Sequence, residues 1–119
     1  MYFFDTYAII ALAEKNPNYE IFKDVKMITC VMNIGEIYNI ILREKSKNAA
    51  DEWFRGISFE LLEITPEIMV KSVYFRHVNK KKNISSTDSV GYTLSLNHDL
   101  KFLTGDRQFE HLPNVEFVK

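Results

Sequence analysis

The sequence predicts an α/β fold, a three-layer α/β/α sandwich around a mainly parallel central sheet. Two observations carry this reading. Short apolar runs alternate with longer segments of helical periodicity along the whole chain, and such alternation implies parallel strands joined by right-handed crossovers. Two of the apolar runs deliver a carboxylate: Tyr2-Phe3-Phe4 leads directly into Asp5, and Leu100-Lys101-Phe102-Leu103 leads through a Thr104-Gly105 turn to Asp106. Ligands in open α/β sheets bind beyond the carboxyl ends of the strands, where the strand order reverses. Two strands that each release an Asp at that end therefore point to one shared site.

Each element has its own signal. Tyr2 to Phe4 is a short strand, and Thr6 through Lys15 reads as a helix with Ile9, Ile10, Leu12 and Ala13 on its apolar face. Asn16-Pro17-Asn18 breaks it, and Tyr19 to Asp24 is a further short helical piece. Lys26 to Met32, rich in Val, Ile, Thr and Met, reads as a buried strand. Asn33-Ile34-Gly35-Glu36 then opens a long helix running to about Lys47, and a second helix covers roughly Asn48 to Ile57. Phe59 to Ile64 is the third strand. Thr65-Pro66-Glu67 is a good helix start, with Thr as N-cap and Pro at the first helical position. That helix continues toward Lys80-Lys81-Lys82. Ser85-Ser86-Thr87-Asp88 opens another, ending near Asn97-His98-Asp99; Lys101 to Leu103 is the fourth strand and Val115 to Val118 the last. No linker, repeat or low-complexity tract divides residues 1–119, so one domain is expected.

The totals exclude several classes. The chain of 119 residues is 46% hydrophobic, 13% aromatic and 26% charged, which suits a globular domain with a real core and argues against disorder. A formal net charge of −1 argues against strong nonspecific nucleic-acid binding, though not against an enzyme with a local basic rim. The single cysteine, Cys30, has no internal partner and sits in an apolar run, as a small buried hydrophobe does. No signal peptide or bilayer-spanning run is evident, and a cytoplasmic location is the expectation. The histidines His77, His98 and His111 lack the spacing of a zinc site.

Four acids fall at element junctions: Asp5, Glu36, Asp88 and Asp106. Asp5 and Asp106 end strands. Glu36 is expected in the first turn of the helix leaving the second strand. Asp88 opens a helix whose far end feeds the fourth strand, so an antiparallel placement returns it to the same edge. Gathered there without compensation, the carboxylates would raise one another's pKa. A hard divalent ion removes that conflict. Mg²⁺ or Mn²⁺ suits an all-oxygen donor set without His or Cys, and metal-dependent phosphodiester hydrolysis is the chemistry this composition fits best. The alternative is structural. Asn33-x-x-Glu36 and Ser85-x-x-Asp88 match capping boxes, Asp5 can cap the first helix, and Thr104-Gly105-Asp106 can be a turn. On that reading the chain is a non-catalytic α/β protein-interaction module.

The order Phe4-Asp5-Thr6, Asn33-Ile34-Gly35-Glu36, Ser86-Thr87-Asp88-Ser89 and Leu103-Thr104-Gly105-Asp106-Arg107-Gln108-Phe109 resembles the PIN-domain family, in its short form of VapC-type toxin ribonucleases. The likeness spans essentially the whole chain. It implies a PIN-like fold and Mg²⁺- or Mn²⁺-dependent cleavage of RNA to a 5′-phosphate and a 3′-hydroxyl. It also implies a homodimer and a cognate antitoxin that blocks the acidic pocket. Carried over by position, Asp5, Glu36, Asp88 and Asp106 would be the catalytic, metal-binding carboxylates, with the hydroxyls of Thr6 and Thr104 close by to orient them.

An RNA substrate needs local positive charge as well as metal. Arg107, beside Asp106, is the leading phosphate contact and Arg43, two turns beyond Glu36, the next; Lys45, Lys47 and Lys80 to Lys82 are further basic residues. Gly91 and Ser95 share a helical face with Asp88 and would let that helix approach the sheet closely. Trp53 and Phe54 are neighbours on different sides of a helix, one suited to the core and one to a partner surface. Tyr7 stands where a haloacid-dehalogenase phosphatase needs a second Asp, and Thr65-Pro66 follows the third strand where a receiver domain needs its phosphoacceptor. Both of those classes are set aside.

Overall fold

Strand β1 (Tyr2–Phe4) forms the middle of a five-stranded sheet in the computed structural model, which describes all residues from Met1 to Lys119. Around it lie β2 (Ile28–Thr29), β3 (Glu60–Leu61), β4 (Lys101–Thr104) and β5 (Val115–Phe117). The order is β3-β2-β1-β4-β5, and every neighbouring pair is parallel. The chain thus builds outward from β1 on one side, then returns to its other flank. The order reverses between β1 and β4, whose residues Phe3 and Phe102, Phe4 and Leu103 stand side by side.

Side-chain alternation along these strands sorts the core into two halves. Phe3, Ile28 and Phe102 face one way, against Ile68 of α4 (Pro66–Val78) and Val90 and Leu94 of α5 (Ser86–Asn97). Phe4 and Leu103 face the other way, against Ala8, Ile9 and Ala11 of α1 (Thr6–Ala13) and Ile37 of α2 (Val31–Glu44). A short 3₁₀ segment, Pro17–Phe22, adds Tyr19 and Phe22 to this second half, while α3 (Lys47–Gly56) lies against it through Trp53. The expected three-layer α/β/α sandwich is the observed one. No helix is long and apolar enough to cross a membrane.

Most helix starts are where the cap chemistry put them. Thr65 accepts from the Ile68 N–H at 3.2 Å and Ser85 from the Asp88 N–H at 3.1 Å. Two strand assignments need correction. The expected strand Lys26 to Met32 shrinks to Ile28–Thr29, because the N–H groups of Asn33 and Ile34 bond back to the Cys30 carbonyl and begin α2 at Val31. The strand-like composition of Val31 and Met32 yields to this turn at the sheet's rim. Glu36 therefore lies in the second turn of α2, not the first, and Asn33 is no cap. Likewise Phe59 to Ile64 contributes only the exposed edge pair Glu60 and Leu61; a short edge leaves little unpaired backbone. The first helix ends at Ala13 rather than Lys15, whose φ of 58° is incompatible with continuing it.

Helix α5 closes on the sheet through Gly91 and the buried Ser95. A methyl group on Gly91 would stand 2.7 Å from the Phe3 ring and 3.2 Å from that of Phe102. Gly91→Leu should therefore destabilise the fold by about 1–3 kcal/mol through overpacking. Gly35, inside α2 with open space around its α-carbon, should behave oppositely, gaining up to about 1 kcal/mol as Ala. Urea melts of the two variants test the pair, and similar small effects at both sites would contradict the close approach of α5.

Candidate active site

Where β1 and β4 end, the chain turns away on both sides and leaves a cleft of about 500 Å³ lined by Asp5, Thr6, Tyr7, Glu36, Asp88, Gly105, Asp106, Arg107 and Lys119. All four junction acids reach it, from four separate segments of the sequence. Asp5 comes off β1, Glu36 from the second turn of α2, Asp88 from the first turn of α5 and Asp106 from the turn after β4.

Asp5 is the deepest, only 1% exposed. Its Oδ1 accepts from the Ala8 N–H at 2.8 Å, so it is the N-cap of α1. The Thr104 hydroxyl donates to the same carboxylate and accepts the Asp106 N–H at 3.0 Å, tying the two strand ends together through one side chain. Asp106 in turn accepts from the Gln108 N–H at 2.9 Å and starts a 3₁₀ turn, Arg107–Phe109. Asp88 shares a capping box with Ser85. The expected caps at Asp5, Ser85 with Asp88, and Asp106 are thus real, unlike the one at Asn33, and they coexist with a shared acidic cleft.

The electrostatics separate the two roles. Burial pushes the Asp5 carboxyl up to about 8; Thr104 and the Ala8 amide oppose this, while Asp88 and Asp106 add to it. Burial also raises Asp88, to about 6; its bonds to Ser85 oppose this, while repulsion from Glu36 and Asp106 adds to it. An N-cap is worth only ~1 kcal/mol and Asn serves as well as Asp. At ~1.4 kcal/mol per pKa unit, keeping Asp5 ionised here costs several times that. A helix cap alone does not account for an acid at this depth.

A polar chain braces the cleft from behind. The Cys30 thiol donates to Asn33 Oδ1 at 3.2 Å, Asn33 Nδ2 donates to Thr6 Oγ1 at 3.1 Å, and the Thr29 hydroxyl donates to the Phe4 carbonyl at 2.9 Å. Asn33 is fully buried. Expected at a helix cap, it instead points inward because α2 starts at Val31. Cys30 is buried, as expected, and its thiol is pushed above the usual range by that burial. Gly105, in the turn after β4, is buried, and the Tyr7 ring occupies the space a side chain would take. Neither Tyr7 nor Lys119 carried any sequence signal toward the cleft.

Of the two arginines, Arg107 lines the cleft and pairs with Glu110 at 3.4 Å. Arg43 does not line it. Seven residues beyond Glu36 lie about 10 Å farther along a helix axis, and Arg43 there is exposed, 4.0 Å from Glu44. Lys47 is likewise engaged elsewhere, with Asp51 at 2.8 Å.

The donor set fits a hard divalent cation, being all oxygen and bearing two carboxyls whose ionisation the surroundings disfavour. As the side chains stand, no three acidic, histidine or cysteine groups are drawn tightly enough together to ligate one ion. Asp5 and Asp106 each commit Oδ1 to a backbone N–H, so closer approach requires small side-chain rotations against charge repulsion.

A pH dependence follows. Asp5 holds its proton more tightly folded than at its ordinary 3.8, so the folded state binds the extra proton. In chelator, stability should be greatest, as far as this group is concerned, below about pH 4 and should fall as pH rises to about 8; Asp88 adds a decline toward about 6. Asp5→Asn retains a cap acceptor and should flatten the profile while raising the melting temperature at pH 8. Melting curves between pH 4 and 9 check this; a wild-type profile that rises across the range would contradict it.

Comparison with known proteins places the geometry in context. The family model described as PIN domain matches residues 2–115. The structure is similar to Mycobacterium tuberculosis VapC20, described as a Sarcin-Ricin loop cleaving toxin, with a TM-score of 0.80 at 14% identity over 100% of both chains. It is also similar to DNA-bound VapBC from Salmonella typhimurium, with a TM-score of 0.75 at 16% identity over 98% of this chain and 95% of the other. A toxin–antitoxin complex from Klebsiella pneumoniae gives 0.74 at 16% identity over 98% and 96%. No curated protein matches the sequence.

Proposed function

This chain belongs to the PIN domain family, and from that premise we propose that it is a divalent-metal-dependent endoribonuclease, the toxin of a toxin–antitoxin pair, acting as a single domain. The observation that carries this reading is the arrival of Asp5, Glu36, Asp88 and Asp106 in one cleft at the switch point of the sheet. The name of the Mycobacterium tuberculosis neighbour supports RNA as substrate.

Asp5, Asp88, Asp106 and Glu36 would hold Mg²⁺ or Mn²⁺ through carboxylate oxygens. The bound ion would supply Lewis acidity at a phosphoryl oxygen and a more acidic water at neutral pH. The chain's own contributions are positional. Thr104 fixes the Asp5 carboxylate and the Asp106 main chain relative to each other. Thr6, held by Asn33, places a hydroxyl on the cleft wall. Arg107 offers a guanidinium to substrate phosphate, its surface pair with Glu110 being weak enough to exchange.

The real caps at Asp5, Asp88 and Asp106 favour a second reading, in which the acids serve folding alone. RNA cleavage separates the two. Wild type should cut single-stranded RNA with Mg²⁺ or Mn²⁺ and not in chelator. Asp5→Asn and Asp88→Asn should each lose more than about a hundredfold, beyond what loss of an outer-shell partner causes, while melting at or above the wild-type temperature in chelator. Undiminished cleavage in the double variant would leave only the structural reading.

The partners proposed are a second copy of the chain and a cognate antitoxin. The Klebsiella pneumoniae structure is by its own description a toxin–antitoxin complex, and the Salmonella typhimurium one is VapBC bound to DNA; both support this reading. Two apolar surfaces support such contacts. On α4, Val70, Val73 and Tyr74 form an exposed stripe at helical spacing. Between α1, α2 and α3, a groove of about 380 Å³ is lined by Ile9, Ile37, Ile40, Ile41 and Trp53, whose buried indole N–H has no acceptor. Val73→Glu combined with Tyr74→Glu should convert a dimer to a monomer in sedimentation without lowering the melting temperature. An unchanged sedimentation coefficient would remove α4 from the dimer contact.

A further inference from the structure

Two cations enter the acidic cleft, and they are held differently. The Arg107 guanidinium turns to Glu110. Lys119 makes no ion pair with any of the four acids, although it lines the same cleft. Its Nζ sits 5.5 Å from the centroid of the Tyr7 ring and donates to the Gly105 carbonyl at 3.4 Å.

This placement is supported from beneath. The chain leading to Lys119 is fixed where it leaves β5, since the Val118 N–H donates to the Thr104 carbonyl at 2.9 Å and the Tyr19 hydroxyl to the Val118 carbonyl at 2.6 Å. The Tyr7 ring packs against Gly105, which must lack a side chain for the ring to lie there. Ring and carbonyl together attract the ammonium without neutralising it. A lysine has three N–H donors, of which the Gly105 carbonyl takes one. What remains is a full positive charge with free donors at the edge of a negative cleft, the feature that an incoming polyanion needs there.

We infer that Lys119 binds a backbone phosphate of the RNA next to the acidic cluster, with the Tyr7 ring and the Gly105 carbonyl orienting its ammonium. This rests on the ribonuclease reading above. Tyr7 is a positioning residue, acting through Lys119.

The test is salt-dependent binding of a fluorescein-labelled single-stranded RNA, read by anisotropy in Mg²⁺ with the cleavage-impaired Asp88→Asn protein as reference. One phosphate contact on a single strand contributes about 0.7 to the slope of log K against log salt. Adding Lys119→Gln should weaken binding severalfold and reduce the slope by about 0.7, whereas Lys119→Arg should preserve it. Tyr7→Phe, which keeps the ring, should leave the slope intact, and Tyr7→Leu should lower it. In the cleaving enzyme, Lys119→Gln should raise KM more than it lowers kcat. If Lys119→Gln fails to fold, Lys119→Met, which retains the apolar stem, takes its place with the same expected slope. RNA binding with an unchanged slope in Lys119→Gln or Lys119→Met overturns the assignment alone. Absence of RNA binding and cleavage in the wild type overturns the ribonuclease reading and this assignment with it.

Discussion

A carboxylate buried at the end of β1 is the constraint to which the rest of the site is fitted. Asp5 is nearly inaccessible and surrounded by three other acids in one cleft, and its ionised form is strongly disfavoured. The chain partly offsets this with hydrogen bonds from the Ala8 amide and the Thr104 hydroxyl. These bonds lower the cost without removing it, because burial outweighs them and Asp88 and Asp106 add to it. Asn or Ser would cap α1 about as well with no charge at all. The negative charge is what distinguishes Asp5 from a cap, and a hard cation is the partner that charge fits.

The fold brings the acids together by topology rather than by sequence proximity. With β1 central and the order reversing between β1 and β4, the two strand ends that carry Asp5 and Asp106 lie next to each other. Gly91 lets α5 descend onto Phe3 and Phe102, and this close packing positions the helix whose first turn carries Asp88. Asn33, turned inward by the early start of α2, ties that helix to Thr6 beside Asp5. Packing and chemistry therefore share residues: the contacts that seal the two halves of the core also set where the carboxylates stand.

Much of this was legible in the residues themselves. An Asp at or just beyond the end of a strand, and Ser85 three residues before Asp88, are local signals, so the architecture and the four acids are legible in the sequence. What failed was of a different kind. The extent of β2 depended on where the sheet ends, which Val31 and Met32 cannot express locally, and the errors at Glu36 and Asn33 followed from it. Arg43 was placed by helical phase alone, while the axial distance along α2 carries it away from the cleft. Lys119 and Tyr7 meet across more than a hundred residues through a contact that exists only because Gly105 is bare. Such long-range coincidences leave no periodicity to read.

The most direct measurement is the anomalous scattering of manganese in crystals grown with Mn²⁺. The predicted result is a peak in the cleft within bonding distance of carboxylate oxygens of Asp5 and at least one of Asp88, Asp106 and Glu36, with those side chains drawn inward from their present positions. Crystals in which manganese binds only elsewhere, or in which the Asp5 carboxyl remains bonded as it is now with no ion beside it, would contradict the claim that this buried charge exists to hold a metal.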